Sequence, residues 1–278
     1  MSAPLIAFIG TTPNIGTTSA AFAAACRLAD RSGEEVGFLC LNLKSAKIHR
    51  FIGQDRPQAT LDGIRPELTS SSLAPAQLRR ACMQPEGQPL VHVLAGNQMR
   101  DQAEFYSVDE MDHLLEAARN AFPIVVADVG SYWDNAATIG AMRAASSRVL
   151  CTTGALSHFQ EDCNRWVRQV SPLFGIEPDR FDLLAIQSPW TTGGYRMKEM
   201  EKETRLSLIA EFKTNQAFYD SLDRGRYHAW LKQDAVGRIA MEEASDKLAE
   251  RHGIRCRPNK DKQPWFRKLK AHRGELRI

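Results

Sequence analysis

The segment Phe8-Ile9-Gly10-Thr11-Thr12-Pro13-Asn14-Ile15-Gly16-Thr17-Thr18-Ser19 lies where a phosphate-binding loop belongs, between an apolar strand over Leu5–Ile9 and an alanine-rich helix over Ser19–Ala29. A phosphate cradle needs glycines for close backbone approach and N–H groups aimed at phosphate oxygens. It also needs a lysine for the β/γ-phosphates and a hydroxyl for Mg²⁺. Gly16 and the Thr18 hydroxyl meet two of these needs, whereas Thr17 stands at the lysine position. A second candidate is Ile124-Val125-Val126-Ala127-Asp128, an apolar strand ending in a carboxylate of the kind that holds Mg²⁺ through water. Aspartate at a strand end also serves turns and helix caps, so Asp128 gains weight only together with the loop. The candidate nucleotide-binding residues are Thr12, Asn14, Gly16, Thr17, Thr18 and Ser19, and the candidate Mg²⁺ pair is Thr18 and Asp128. Two readings stay open: the hydroxyls and the helix N-terminus hold ATP with Mg²⁺, or the loop is a relic whose hydroxyls cap the helix.

These residues need elements to position them. Apolar runs at Leu5–Ile9, Val36–Leu41, Leu90–Leu94, Ile124–Ala127, Val149–Thr152, Phe181–Ile186 and Leu206–Ile209 are mostly separated by helix-like segments. Such alternation predicts an α/β fold, a mainly parallel sheet with helices on both faces and ligands at the carboxyl ends of the strands. The loop, the Asn42 region and Asp128 then share one edge. Ser107 with Glu110 three residues on predicts a capping box for a helix over Ser107–Ala121, with Val108, Met111, Leu114, Leu115 and Ala118 on its apolar face. The stretch Gln54–Pro89 is expected to be a loop-rich excursion beside the site, and a helix over Asp234–Arg251 to close the body. The domain boundaries are thus 1–252 for the α/β domain and 253–278 for a tail.

With 278 residues, 43% of them hydrophobic, the chain can bury the core of one α/β domain with an appendage. No run approaches the ~18–20 apolar residues of a membrane span, and the sequence reads as cytoplasmic. The six cysteines show no C-x-x-C pairing, which predicts reduced thiols rather than disulfides or a zinc site. The seven histidines lack metal spacing and no G-x-S-x-G elbow accompanies them, so a hydrolytic triad has no support; Ser157-His158 reads as a helix cap. The net charge of +3 hides an asymmetry: residues 251–278 hold ten Lys/Arg against two Asp/Glu, leaving −5 on residues 1–250. A basic tail on an acidic body points to an anionic partner or to a solvated terminus.

Together these elements resemble the MinD/ParA family of deviant Walker A ATPases, including its CpaE/TadZ branch, over residues 3–230. The family loop K-G-G-V-G-K-T-T falls on Thr12-Pro13-Asn14-Ile15-Gly16-Thr17-Thr18-Ser19. Gly33–Asn42 is similar to the family's second strand, Ala145–Thr153 to the strand after the Walker B segment, Leu183–Pro189 to the strand before the adenine-contacting loop, and Ile209–Arg226 to the late I-P-x-D…G region. The departures carry more information. Thr12 and Thr17 replace both family lysines, Pro13 and Asn14 replace the central glycines, and Cys40 and Asn42 fall where the family has its D-x-D acids. Pro13 deletes a donor, and neither Pro13 nor Asn14 is expected to match glycine's tolerance of unusual φ. Phosphoryl transfer depends on neutralising charge at the γ-phosphate, so the joint loss predicts little or no ATP hydrolysis. Lys44 and Lys47, just after the second strand, read either as charge returned to the site or as plain surface residues.

The resemblance implies a homodimer and a positioning or scaffold role, with a protein partner in a membrane-associated assembly such as a pilus or secretion apparatus. It also implies peripheral placement at the inner face of the membrane. The aromatics of Asp128–Asp134 read either as a partner-contacting switch or as packing. In the tail, Trp265, Phe266 and Leu269 with Lys268 form a short basic amphipathic segment able to meet a membrane surface or a protein. The alternative reading is an active, ATP-dependent ParA-type switch that binds nonspecific DNA through its basic residues, nucleic acid being the third partner for such charge.

Overall fold

The computed structural model describes residues 2–190 and 194–257. All seven apolar runs form strands: β1 Leu5–Gly10, β2 Val36–Cys40, β3 Val91–Leu94, β4 Ile124–Asp128, β5 Ser147–Thr153, β6 Phe181–Gln187 and β7 Ser207–Lys213. They pair in parallel in the order β3-β2-β4-β1-β5-β6-β7. A parallel sheet is covered on both faces, which is why these strands read as continuous apolar runs instead of alternating ones.

The helices are α1 Thr17–Ser32, α2 Ile48–Phe51, α3 Arg65–Thr69, α4 Pro75–Ala81, α5 Val108–Ala121 and α6 Ala136–Ala144, then α7 Met197–Thr204, α8 Gln216–Asp223, α9 Tyr227–Gln233, α10 Ala235–Ile239 and α11 Glu242–Arg251. On one face, Phe22 and Leu28 of α1 pack with Tyr227, Trp230 and Leu248 over Ile6, Phe8 and Phe38. On the other, Leu114 and Leu115 of α5 and Met142 of α6 cover Leu5, Ile9, Leu39 and Val125. The alternation of Leu5, Ala7 and Ile9 with Ile6 and Phe8 splits β1 between the two cores, as the two-residue period of a strand requires.

Several expectations are corrected. Gln54–Pro89 carries α3 and α4, and Leu61, Leu68, Leu73 and Leu78 are buried in the core with α5, so this stretch is a packed flank and not an excursion beside the site. The closing helix is two helices, because Asp234 caps α10 through the Val236 and Gly237 N–H groups and Met241 turns into the left-handed region at φ 62° before α11. The capping box of Ser107 and Glu110 is present, yet Val108 faces solvent. Ser157 caps nothing: the Thr153 hydroxyl accepts the Ala155 N–H and meets His158 Nδ1 at 2.8 Å. The tail residues Trp265, Phe266, Lys268 and Leu269 lie outside the described residues.

Candidate functional site

β1 delivers the loop at Gly10, where a Cβ would stand 2.4 Å from Ser131 Oγ and 2.6 Å from Thr17 Oγ1. Glycine is needed there because the chain turns beneath both hydroxyls. Asn14 and Gly16 then adopt φ of 62° and 105°. The expectation that Asn14 would not follow glycine is overturned, since asparagine enters the left-handed region more readily than other side chains. Two carbonyls of the loop are tied off: Trp166 Nε1 donates to Thr11 O at 2.7 Å and the Ser131 hydroxyl to Thr12 O at 2.9 Å.

The N-cap of α1 is Gly16, and no side chain caps the helix. The hydroxyl-capping reading of the loop is therefore not realised. Instead the Thr18 hydroxyl donates to Asp128 Oδ2 at 2.6 Å, while the buried Thr17 hydroxyl has no conventional partner and neighbours the Cys151 thiol, a weak acceptor. Ser19 is buried, and its carbonyl accepts the Tyr227 hydroxyl at 2.8 Å. The first-turn N–H groups of a helix 16 residues long thus open without a side-chain cap, the arrangement that favours an anion.

Asp128 ends β4, paired in register with Phe8 of β1 and Cys40 of β2. Burial pushes its carboxyl up to about 6, against the stabilising Thr18 hydroxyl and Gly130 N–H. Across from it, Cys40 is buried with its thiol pushed up by burial, and Asn42 Oδ1 accepts the Ser45 N–H at 3.1 Å. Neither supplies a carboxylate to orient water.

Between the strand ends lies a cleft of about 360 Å³, lined by 13–19 of the loop, by Asn42, Lys44 and Lys47 after β2, by Arg100 after β3, and by Thr214, Phe218 and Tyr219 after β7. Of the candidate nucleotide residues, Asn14, Gly16, Thr17, Thr18 and Ser19 line it; Thr12 does not. Among the described residues no Asp or Glu side chain lines it. Lys44 pairs with Asp134 and stands 5.1 Å from the Tyr132 ring centroid, so its charge is already engaged. Trp133 is buried, stacked on Phe174 with centroids 6.0 Å apart, which favours the packing reading of that loop. Near the resembled adenine loop, the Tyr219 hydroxyl donates to Ser188 Oγ at 3.2 Å, and Trp190 packs on the Tyr219 ring at 5.7 Å. Arg100 and Trp166 carry no motif in the sequence; only the sheet order brings them to the cleft and the loop.

The resemblance implies ATP and Mg²⁺, and the residues fit them in part. The Thr18 hydroxyl and Asp128 carboxyl come together as a Mg²⁺ pair would, and Mg²⁺ takes most of its ligands from water and phosphate. Among the described residues no three of His, Cys, Asp and Glu gather as a metal cage. The loop itself offers no cation.

No protein-family model matches the sequence, and no curated protein matches it. Solved structures do. The chain is similar to a ParA family ATPase from Chlorobium tepidum TLS, with a TM-score of 0.76 at 12% identity over 89% of this chain and 99% of that one. It is similar to the septum site-determining protein MinD from Pyrococcus horikoshii OT3 complexed with Mg-ADP, with a TM-score of 0.74 at 13% identity over 92% and 100%. A Cyanothece McdA variant in complex with ATP gives 0.67 at 14% identity over 93% and 99%. At such identities the likeness is one of shape: the chain has the fold of the MinD and ParA ATPases.

Proposed function

We propose that this chain is a positioning or scaffold protein on the MinD/ParA fold that binds ATP with Mg²⁺ and hydrolyses it little or not at all. The observation that carries this reading is the joint state of the strand ends: α1 begins uncapped at a cleft where Asp128 on Thr18 is the carboxylate left beside the loop, while Cys40 and Asn42 stand where catalytic acids would be needed. Such a site holds an anion and lacks the groups that position attacking water. The solved MinD with Mg-ADP and McdA with ATP show that this shape accepts nucleotide in those proteins. Nucleotide occupancy would then serve as a structural signal for assembly.

In the finer reading, the protein acts as a homodimer and meets a partner in a membrane-associated assembly such as a pilus or secretion apparatus, with the basic tail contributing membrane contact. This part rests on the CpaE/TadZ resemblance and on the charge of 251–278. Calorimetric titration of the full chain with Mg-ATP, joined to a phosphate-release assay, tests the central claim. Binding without release is expected. Steady release that is lost in Thr18→Ala and Asp128→Ala would sink the pseudo-ATPase reading.

A further inference from the structure

We infer that Lys47 and Arg100 hold the phosphates of a nucleoside triphosphate from the β2–β3 side of the cleft, replacing the two lysines absent from the loop. This inference rests on reading the cleft as a nucleotide site. In the sheet order, β4 separates β1 from β2 and β3, so the loop after β1 and the segments after β2 and β3 form different walls of one cleft. Among the described residues three cations line it, all on the β2–β3 side: Lys44, Lys47 and Arg100. Lys44 is engaged by Asp134. Lys47 and Arg100 are exposed and have no ion pair among the described residues.

Exposed lysines and arginines are ordinary on protein surfaces, so the surroundings decide. Residues 1–250 carry a net charge of −5, yet among the described residues no Asp or Glu lines this cleft, and the carboxylates that reach its edge, Asp128 and Asp134, are engaged by Thr18 and Lys44. Two unneutralised cations in a recess of an acidic body concentrate positive potential at that point. They line the same cleft as a helix N-terminus with no side-chain cap, the end of a helix that favours an anion, and as the buried Thr17, whose hydroxyl has only the Cys151 thiol beside it. Arginine suits the task, since its fork engages two phosphate oxygens at once, while lysine acts as a compact point charge. The terminal phosphates carry the highest charge density of a nucleotide and are the part such a pair would discriminate.

The experiment measures calorimetric affinities of the full chain for Mg-ATP, Mg-ADP and adenosine, with Lys47→Ala, Arg100→Ala, their combination and Lys44→Gln. Both key side chains are exposed, so the variants are expected to melt as wild type does. Each single variant should weaken Mg-ATP by about 10-fold to 100-fold, the range of one charge-assisted contact. The loss should shrink for Mg-ADP and vanish for adenosine, and Lys44→Gln should lose less than either. Wild type that binds Mg-ATP with an affinity unchanged by the double variant overturns this inference and leaves the nucleotide reading standing. Wild type that binds none of the three overturns both.

Discussion

On the β1 side of the cleft the loop carries hydroxyls and no cation, and several of its groups are fixed: Thr18 on Asp128, Thr11 and Thr12 carbonyls under Trp166 and Ser131, Gly10 wedged beneath two side chains. On the β2–β3 side, Lys47 and Arg100 project from short segments into solvent and are held by no ion pair among the described residues. One wall has shape without charge and the other charge without fixed shape. The difference teaches that the two requirements of an anion site are separable. Backbone course is set by a few left-handed residues and buried hydrogen bonds, whereas a long side chain can deliver charge from any neighbouring strand end.

The contrast can be broken most sharply at Asp128. Its carboxyl titrates from an ordinary 3.8 when unfolded to about 6 when folded, so the folded state keeps the proton across that window. Stability from this group is greatest at low pH and falls as pH rises through about 6, by about 3 kcal/mol in all. The stability of Asp128→Asn relative to wild type should therefore improve between pH 4.5 and 7.5 in denaturant titrations. Parallel pH curves for the two proteins would mean that the fixed wall is solvated after all.

A smaller effect is expected at the base of the loop. Gly10→Ala places a Cβ against Ser131 and Thr17 and should cost about 1–3 kcal/mol in urea unfolding. Lys47→Ala, on the other wall, should change stability by less than about 0.5 kcal/mol. Equal costs at the two positions would erase the distinction between the walls. Smallest is the Lys44–Asp134 pair, whose partners are partly exposed; a double-mutant cycle with Lys44→Gln and Asp134→Asn should give a coupling of about 0.2–1 kcal/mol, weaker in high salt. A coupling near zero would return Lys44 to the pool of free cations in the cleft.

Much of the fold is legible in the amino-acid sequence because a doubly covered parallel sheet writes itself as uninterrupted apolar runs, and each of the seven became a strand. What escaped is set by contacts distant in sequence. The leucines at 61, 68, 73 and 78 sit among polar and turn residues, and only their packing against α5 makes α3 and α4 part of the core. The split between α10 and α11 depends on the backbone of Met241, a residue that does not usually mark a left-handed turn. At the site, Thr18 and Asp128 were readable as a pair because loop and strand end have recognisable patterns. Lys44 and Lys47 are three residues apart and indistinguishable by type. Their separation into a paired and an unpaired cation depends on Asp134, ninety positions away from Lys44. Arg100 has no pattern at all and enters only through the neighbourhood of β2 and β3.

Helix α1 runs from the cleft at Thr17 to Ser32, about 24 Å at 1.5 Å per residue. At its far end the Arg31 carbonyl accepts the Arg257 N–H at 2.7 Å. Arg257, the last described residue, is therefore moored at the pole of α1 remote from the cleft. A group fixed at Arg257 and a ligand held by the cleft would sit at opposite ends of one helix and would not compete for space.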